Sequence, residues 1–200
     1  MKWQQDLIYD IRINNDLDNQ DWPFNSSGSW EEISPENLNV LRSKFLNIKD
    51  ACKAILEIGV NRESNKKTFT SLFLENKKPE TIYIGIDIDD KSYLNNKENN
   101  IYTIKSSSSD YDFCLKMIKS INVYEFDFIF IDGWHSINQV LDDWEYTNLL
   151  SRNGIVGFHD TEYHPGPKYF LKALNTDIWK VEHNLIKNPN DWGIGFATRK

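Results

Sequence analysis

The sequence predicts an α/β fold: a mainly parallel sheet of seven strands with an antiparallel edge strand, covered by helices on both faces. Three observations carry this expectation. From Cys52 onward, short apolar runs alternate with segments of helical periodicity, the pattern by which parallel strands are connected. The last two apolar runs have no helical segment between them, which suits an antiparallel pair. Five successive runs end on acid, Gly, Ser or His, and an open parallel sheet binds its ligands at the carboxyl ends of its strands.

The first thirty-three residues read as an appendage to a domain over 34–200. They are rich in Asn, Asp and Trp, partly helical from Trp3 to Ile13, then irregular through Pro23 and Asn25-Ser26-Ser27-Gly28-Ser29. Ser34-Pro35 starts a helix, with a hydroxyl cap and proline in the first turn; Leu38, Leu41, Phe45 and Ile48 follow at helical spacing. Ala54–Ile58 is a buried strand, Thr68–Leu74 a short helix, Thr81–Asp87 the second strand and Ile101–Ile104 the third. A serine run then caps a helix carrying Phe113, Met117, Ile118 and Ile121 on one face. Phe126–Ile131 is the strongest strand. Ser136 caps the next helix, with Ile137, Val140, Leu141 and Trp144 inward. Ile155–Phe158 is a fifth strand, Pro167–Leu174 a helix, and Asp177–Glu182 with Trp192–Thr198 the closing pair. Together these elements make a doubly wound, Rossmann-like sheet.

Composition narrows the function. The chain of 200 residues is 40% hydrophobic and 14% aromatic, too apolar for a disordered protein. No run approaches the roughly 18 apolar residues that span a bilayer, and no signal-peptide pattern opens the chain, so a cytoplasmic protein is expected. A net charge of −7 and a pI near 5.1 point away from nucleic acid, whose binders present a basic face. Lys66-Lys67 and Lys77-Lys78 are read as solvated helix ends. Cys52 and Cys114 have no metal-ligand or disulfide spacing and are expected as buried free thiols.

Each strand end can be given a task. Gly59 permits close backbone approach to a ligand. Asp87 and Asp89 sit where an acid accepts hydrogen bonds from ribose hydroxyls. The serines from 106 to 109 can cap a helix and flank a base. Asp132 and Asp160 lie 28 residues apart, enough to span one helix and return on the neighbouring strand, so their carboxylates can converge on a hard divalent cation such as Mg²⁺. His135, one turn beyond Asp132, has the pKa range of a general base toward an acceptor hydroxyl. His164 and His183 are read as loop and surface residues.

The stretch Phe128-Ile129-Phe130-Ile131-Asp132-Gly133-Trp134-His135-Ser136, then Asp143, then Gly154-Ile155-Val156-Gly157-Phe158-His159-Asp160-Thr161, resembles class I S-adenosylmethionine-dependent methyltransferases. It is most similar to the small-molecule O-methyltransferase branch that includes cephalosporin-hydroxylase-like and macrolide-sugar methyltransferases, over about residues 53 to 165. The resemblance implies that Glu57 and Gly59 contact the methionine part of the cofactor. It further implies that Asp87, or Asp89, binds ribose and that Ser107 and Ser108 flank adenine. Asp132 would serve cofactor and catalysis alike. Asp132 and Asp160, with His159 beside the latter, would hold a divalent metal, and His135 or His159 would act as base. The acceptor would be a small molecule carrying a hydroxyl, such as a sugar or phenol.

Two departures stand out. Asn61-Arg62-Glu63-Ser64-Asn65 replaces the usual glycine-rich continuation, and His159 replaces the acid that some metal-dependent relatives carry. The first motivates a competing reading, a catalytically silent module holding a nucleoside or nucleotide-sugar. A nicotinamide oxidoreductase would need Gly-x-Gly-x-x-Gly, of which only Gly59 is present. No Gly-Lys-Ser/Thr segment offers a P-loop, and the Asn/Asp-Pro-Pro-aromatic motif of base-methylating enzymes is missing. Aromatic residues Trp3, Trp22, Phe24 and Trp30, with Tyr163-His164-Pro165-Gly166, are candidates for an acceptor wall, for packing against the domain, or for a contact between copies in a homo-oligomer.

Overall fold

The computed structural model describes residues 2–12, 33–61, 67–186, 188 and 191–200. Alternation of apolar runs and helical segments becomes β1 (Ala54–Ile58), α2 (Phe69–Asn76), β2 (Ile82–Asp87), β3 (Ile101–Lys105), α3 (Tyr111–Ser120), β4 (Phe126–Ile131), α4 (Ile137–Trp144), β5 (Leu150–His159), α5 (Pro165–Ala173), β6 (Trp179–Glu182) and β7 (Ile194–Arg199), preceded by α1 (Pro35–Ile48). The sheet order is β3-β2-β1-β4-β5-β7-β6. Strands β1 to β5 run parallel, and β7 pairs antiparallel with both β5 and β6. The expected antiparallel pair therefore closes one edge, with β7 set between β5 and the outermost β6. The order turns back on itself at β1–β4, and such a switch point opens a crevice at the strand ends.

Strand alternation divides the core in two. Ile55, Tyr83, Phe128 and Phe130 face Leu41 and Phe45 of α1 and Phe69 and Phe73 of α2. Leu56, Ile84, Ile129 and Phe158 face Cys114 of α3, Leu141 and Trp144 of α4, and Phe170 of α5. Helix starts follow local chemistry: Ser34, Thr68 and Ser136 each accept a backbone N–H of the first turn through the side chain. The cap of α3 is Asp110 and not a serine, because a carboxylate also answers the helix dipole. The inward face of α3 is Cys114 and Ile118; Phe113 and Met117, expected inside, are exposed. Both cysteines are buried free thiols. Among the described residues no helix is long and apolar enough to cross a membrane.

Of the partly helical stretch expected from Trp3 to Ile13, the described residues form a 3₁₀ helix at Lys2–Gln5 followed by a turn at Asp6, a bridge at Leu7 and bends at Ile8 and Tyr9; Ile13 lies outside the described residues. Ile8 N–H donates to Ala173 O at 2.8 Å, Asn175 N–H donates to Asp6 O at 2.7 Å, and Leu7 and Ile11 enter the core. Asp6 accepts the indole N–H of Trp144 at 3.0 Å and that of Trp179 at 2.9 Å. The irregular stretch at Pro23 and Asn25–Ser29, with Trp22, Phe24 and Trp30, lies outside the described residues.

Candidate active site

Strand ends at the switch point are tied together by backbone bonds that continue the sheet. Asp132 N–H donates to Ile58 O at 2.8 Å, Gly59 N–H to Ile86 O at 2.9 Å, and Ser106 N–H to Asp87 O at 2.9 Å. Gly59 has φ +84°, and a Cβ there would lie 2.1 Å from Asp132 O. Only glycine fits that position. The Asp87 carboxylate accepts Val60 N–H at 2.8 Å and Asp89 N–H at 2.7 Å, which fixes it at the end of β2. Around these ends opens a cleft of about 370 Å³ that brings together Gly59, Asp87, Asp89, Ser107, Ser108 and Asp132, with Trp134, His135 and Gln139 completing it. The Asp89 side chain is 76% exposed and stands on the rim beside Lys91. A fixed carboxylate, two serine hydroxyls and the apolar flanks Ile58, Ile86 and Ile88 fit the diol, base edge and faces of a nucleoside. A larger groove of about 600 Å³ between α1 and α2 carries none of the expected residues apart from Asn61. Arg62, Glu63, Ser64 and Asn65 of the altered glycine loop lie outside the described residues.

Glu57 does not reach the cleft. Alternation turns it to the α1/α2 side, where it is 0% exposed and accepts hydrogen bonds from Tyr83 Oη and, at 3.0 Å, Thr70 Oγ1. Burial pushes its pKa up to about 8 despite those two donors. Asp143 is likewise buried, and burial raises it to about 7 against hydrogen bonds from Ser108 and Gln139. Gln139 donates to Asp143 Oδ1 at 2.8 Å and to Ser108 Oγ at 3.0 Å, and accepts from Ser109 Oγ at 3.0 Å. Sequence reading missed Gln139; its third position after the Ser136 cap, on the turn that meets the serine run, is the available signal.

Beside the cleft, Asp132, His159 and Asp160 converge as the 28-residue spacing suggests. The register pairs Ile131 with Phe158, so the next residues, Asp132 and His159, become neighbours. His159 Nδ1 lies 2.9 Å from Asp132 Oδ1 and 2.9 Å from Asp160 Oδ1. His135 Nε2 lies 2.6 Å from Asp160 Oδ2 and 3.8 Å from Asp132 Oδ1. Asp160 adopts φ +60°, a left-handed conformation uncommon outside glycine. His159 packs edge-on against Phe69 with centroids 4.7 Å apart.

His164, read from sequence as a loop residue, belongs to this cluster. It stands at the start of α5 without a side-chain cap bond, is 4% exposed, stacks on His135 at 4.5 Å with planes 5° apart, and places Nε2 3.8 Å from Asp160 Oδ2. The reason is a tight turn: His164 N–H donates to Asp160 O at 3.0 Å, while Gly166 N–H donates to His135 O at 2.9 Å. His183 is exposed, as expected. Tyr163 stacks on Trp192 at 4.3 Å, an aromatic wall beyond the cluster.

Charges within the cluster are balanced by position. Burial lowers the pKa of His135, but Asp160 and Asp132 outweigh it and carry the group up to about 9. His159 is raised well above its usual range by the same two carboxylates against strong burial. Burial would raise Asp160, yet His159 and His135 hold it well below the ordinary carboxylate range. His164 is driven down to about 4, chiefly by burial. The ligand atoms of Asp132, His159 and Asp160 lie within 4.8 Å of one another, as do those of His135, Asp160 and His164. Asp160 Oδ1 is buried without a well-aligned hydrogen bond, so the donor set fits a divalent cation.

No protein-family model matches the chain, and no curated protein matches it in sequence. Solved structures do match. MycE methyltransferase from the mycinamycin biosynthetic pathway, in complex with Mg, SAH and mycinamycin VI, is 17% identical with a TM-score of 0.57. That match covers 80% of this chain and 48% of MycE, so this chain spans about half of MycE's length. A Staphylococcus aureus protein assigned as a caffeoyl-CoA O-methyltransferase is 16% identical with a TM-score of 0.61, over 86% of each chain. CalS11, a TDP-rhamnose 3'-O-methyltransferase of calicheamicin biosynthesis, is 14% identical with a TM-score of 0.57, over 82% of this chain and 78% of CalS11. Identities this low speak to architecture, and on that ground the chain has the Rossmann-like fold of the class I methyltransferases.

Proposed function

We propose that this chain is an S-adenosylmethionine-dependent methyltransferase that acts on a hydroxyl of a small molecule, a sugar or a phenol, with a divalent cation beside the acceptor. The convergence of Gly59, Asp87, Ser108 and Asp132 on one cleft, with His135 at its margin, carries this reading. Asp87 binds the ribose diol, Ser107 and Ser108 border the adenine, and the backbone at Gly59 receives the methionine end. Bound S-adenosylmethionine supplies a methyl group on a sulfonium sulfur, which leaves as a neutral thioether. Asp132, His159 and Asp160 would hold the cation, which supplies a Lewis-acid contact for the acceptor oxygen.

His135 accepts the acceptor's proton through the ring nitrogen that Asp160 does not engage, as the oxygen forms its bond to the methyl carbon. Asp160 beneath it and His164 stacked against it fix the imidazole plane. Such positioning supplies much of the acceleration when the leaving group is already good. The test is titration calorimetry with S-adenosylmethionine and S-adenosylhomocysteine. Binding that is lost in Asp87→Ala and kept in His135→Asn supports the reading. No binding by a folded wild-type chain sinks it.

A further inference from the structure

The cluster around Asp160 has a donor chemistry that decides which cation it takes. Among the described residues its five side chains are two carboxylates, Asp132 and Asp160, and three imidazoles, His135, His159 and His164. Each three-donor combination that converges within 4.8 Å contains at least one histidine nitrogen. Mg²⁺ prefers an octahedron of oxygens and keeps several waters, whereas imidazole suits Fe²⁺, Ni²⁺, Cu²⁺ and Zn²⁺, and affinity for a mixed site rises from Mn²⁺ along the first row. Here the inner donors are sealed: His159 and Asp160 are each 1% exposed.

Size admits Mg²⁺ and the first-row ions alike, so the donor atoms decide between them: His159 Nδ1 stands 2.9 Å from a carboxylate oxygen on either side, close to the roughly 3 Å that separates adjacent ligands of an ion bound at about 2.1 Å. Asp160 Oδ1 and His135 Nε2 are both buried without a well-aligned hydrogen bond, although each has an oppositely charged neighbour within 2.9 Å. His159 Nδ1 and Asp132 Oδ1 do share an aligned hydrogen bond at 2.9 Å, which a bound ion would replace.

We propose that this site selects a borderline first-row transition ion over Mg²⁺, held by Asp132, Asp160 and the Nδ1 of His159. The proposal rests on the reading of Asp132, His159 and Asp160 as a cation site and goes beyond it in naming the class of ion. His159 is the selecting residue, because it supplies nitrogen where a carboxylate would complete an all-oxygen set.

The test uses the full chain stripped of metal by chelation, with Mn²⁺ binding followed by the loss of the free-ion electron paramagnetic resonance signal. One Mn²⁺ per chain is expected. About a 100-fold excess of Mg²⁺ should leave most of it bound, while equimolar Zn²⁺ should displace it. His159→Glu should lower the Mg²⁺ excess needed for displacement by about tenfold or more. Because residue 159 is buried, a second measurement uses wild type alone: the Co²⁺-loaded chain should show a hyperfine-shifted, exchangeable imidazole N–H proton. The proposal is overturned if no Mn²⁺ binds, if Mg²⁺ displaces Mn²⁺ at near-equal concentration, or if the Co²⁺ form lacks that proton. Titration of S-adenosylhomocysteine into the same samples separates the two ideas. Ion binding without nucleoside binding would sink the methyltransferase reading and leave the ion assignment standing.

Discussion

Glu57 should make the fold lose stability as pH rises, and Glu57→Gln should remove that loss. The carboxyl is wholly buried between Thr70 and Tyr83, and burial, with a smaller push from Asp132 and Asp87, carries its pKa from 4.5 to about 8. Between those two values the folded chain holds a proton that the unfolded chain has released. Stability falls with rising pH wherever the folded state binds more protons. The loss is absent below pH 4.5, grows through neutrality, and is complete above pH 8. A displacement of that size corresponds to at most about 5 kcal/mol; relaxation around a charged Glu57 brings the working figure to about 2–4 kcal/mol. Glutamine keeps the shape, carries no proton to lose, and can exchange hydrogen bonds with two hydroxyls that rotate. Thermal melts by circular dichroism at pH 5, 6.5 and 8.5 should therefore give nearly equal Tm values at pH 5. At pH 8.5 the variant should melt about 5–10 °C higher. Two curves that run parallel across the range, whatever their offset, would refute the account.

Three further outcomes follow from single contacts. Asp6→Ala leaves the buried indole N–H groups of Trp144 and Trp179 without their acceptor, at about 1–3 kcal/mol each; calorimetry should show a Tm drop of at least about 5 °C, and Asp6→Asn about half of it. Gly166→Ala would place a Cβ 2.3 Å from His135 O, so the start of α5 must shift and carry His135 with it. Binding of S-adenosylhomocysteine should survive that change while methyl transfer, followed by product formation, falls about 10-fold or more. His135→Asn should lower transfer by about 10²–10⁴ with the affinity for S-adenosylhomocysteine unchanged, and a variant with undiminished turnover would remove His135 from the base role.

Much of the fold and the cleft was legible because both follow from short-range rules. Alternation of Leu56 and Ile58 against Ile55 and Glu57 separates the two cores, and a two-residue period needs only the strand itself. Hydroxyls before apolar periodic runs, at Ser34 and Ser136, announce their helices for the same reason. The α3 face was misread where two helical stripes were comparably apolar: Phe113 and Met117 compete with Cys114 and Ile118, and only the packing of α3 against β2 and β3 chooses between them. Asp6 was illegible for a stronger reason. Its partners lie 138 and 173 residues away, and nothing near position 6 distinguishes it from other acids in a polar segment.

The histidine cluster marks the limit of such reading. Asp132 and His159 could be brought together on paper, since adjacent parallel strands in register place their next residues side by side. His164 could not, because it joins through the turn that Asp160 makes with φ +60° and through the docking of Gly166 on His135 O. Neither event has a local sequence rule, since an aspartate rarely takes that conformation and the glycine's task is set by the backbone of His135, thirty-one residues earlier. What the pattern conveys is therefore a list of polar residues at the right edge of the sheet. What the structure adds is that three imidazoles from three segments share one buried carboxylate. That convergence adds the imidazoles of His135 and His164 to the mixed set that Asp132, His159 and Asp160 already form in the sequence reading.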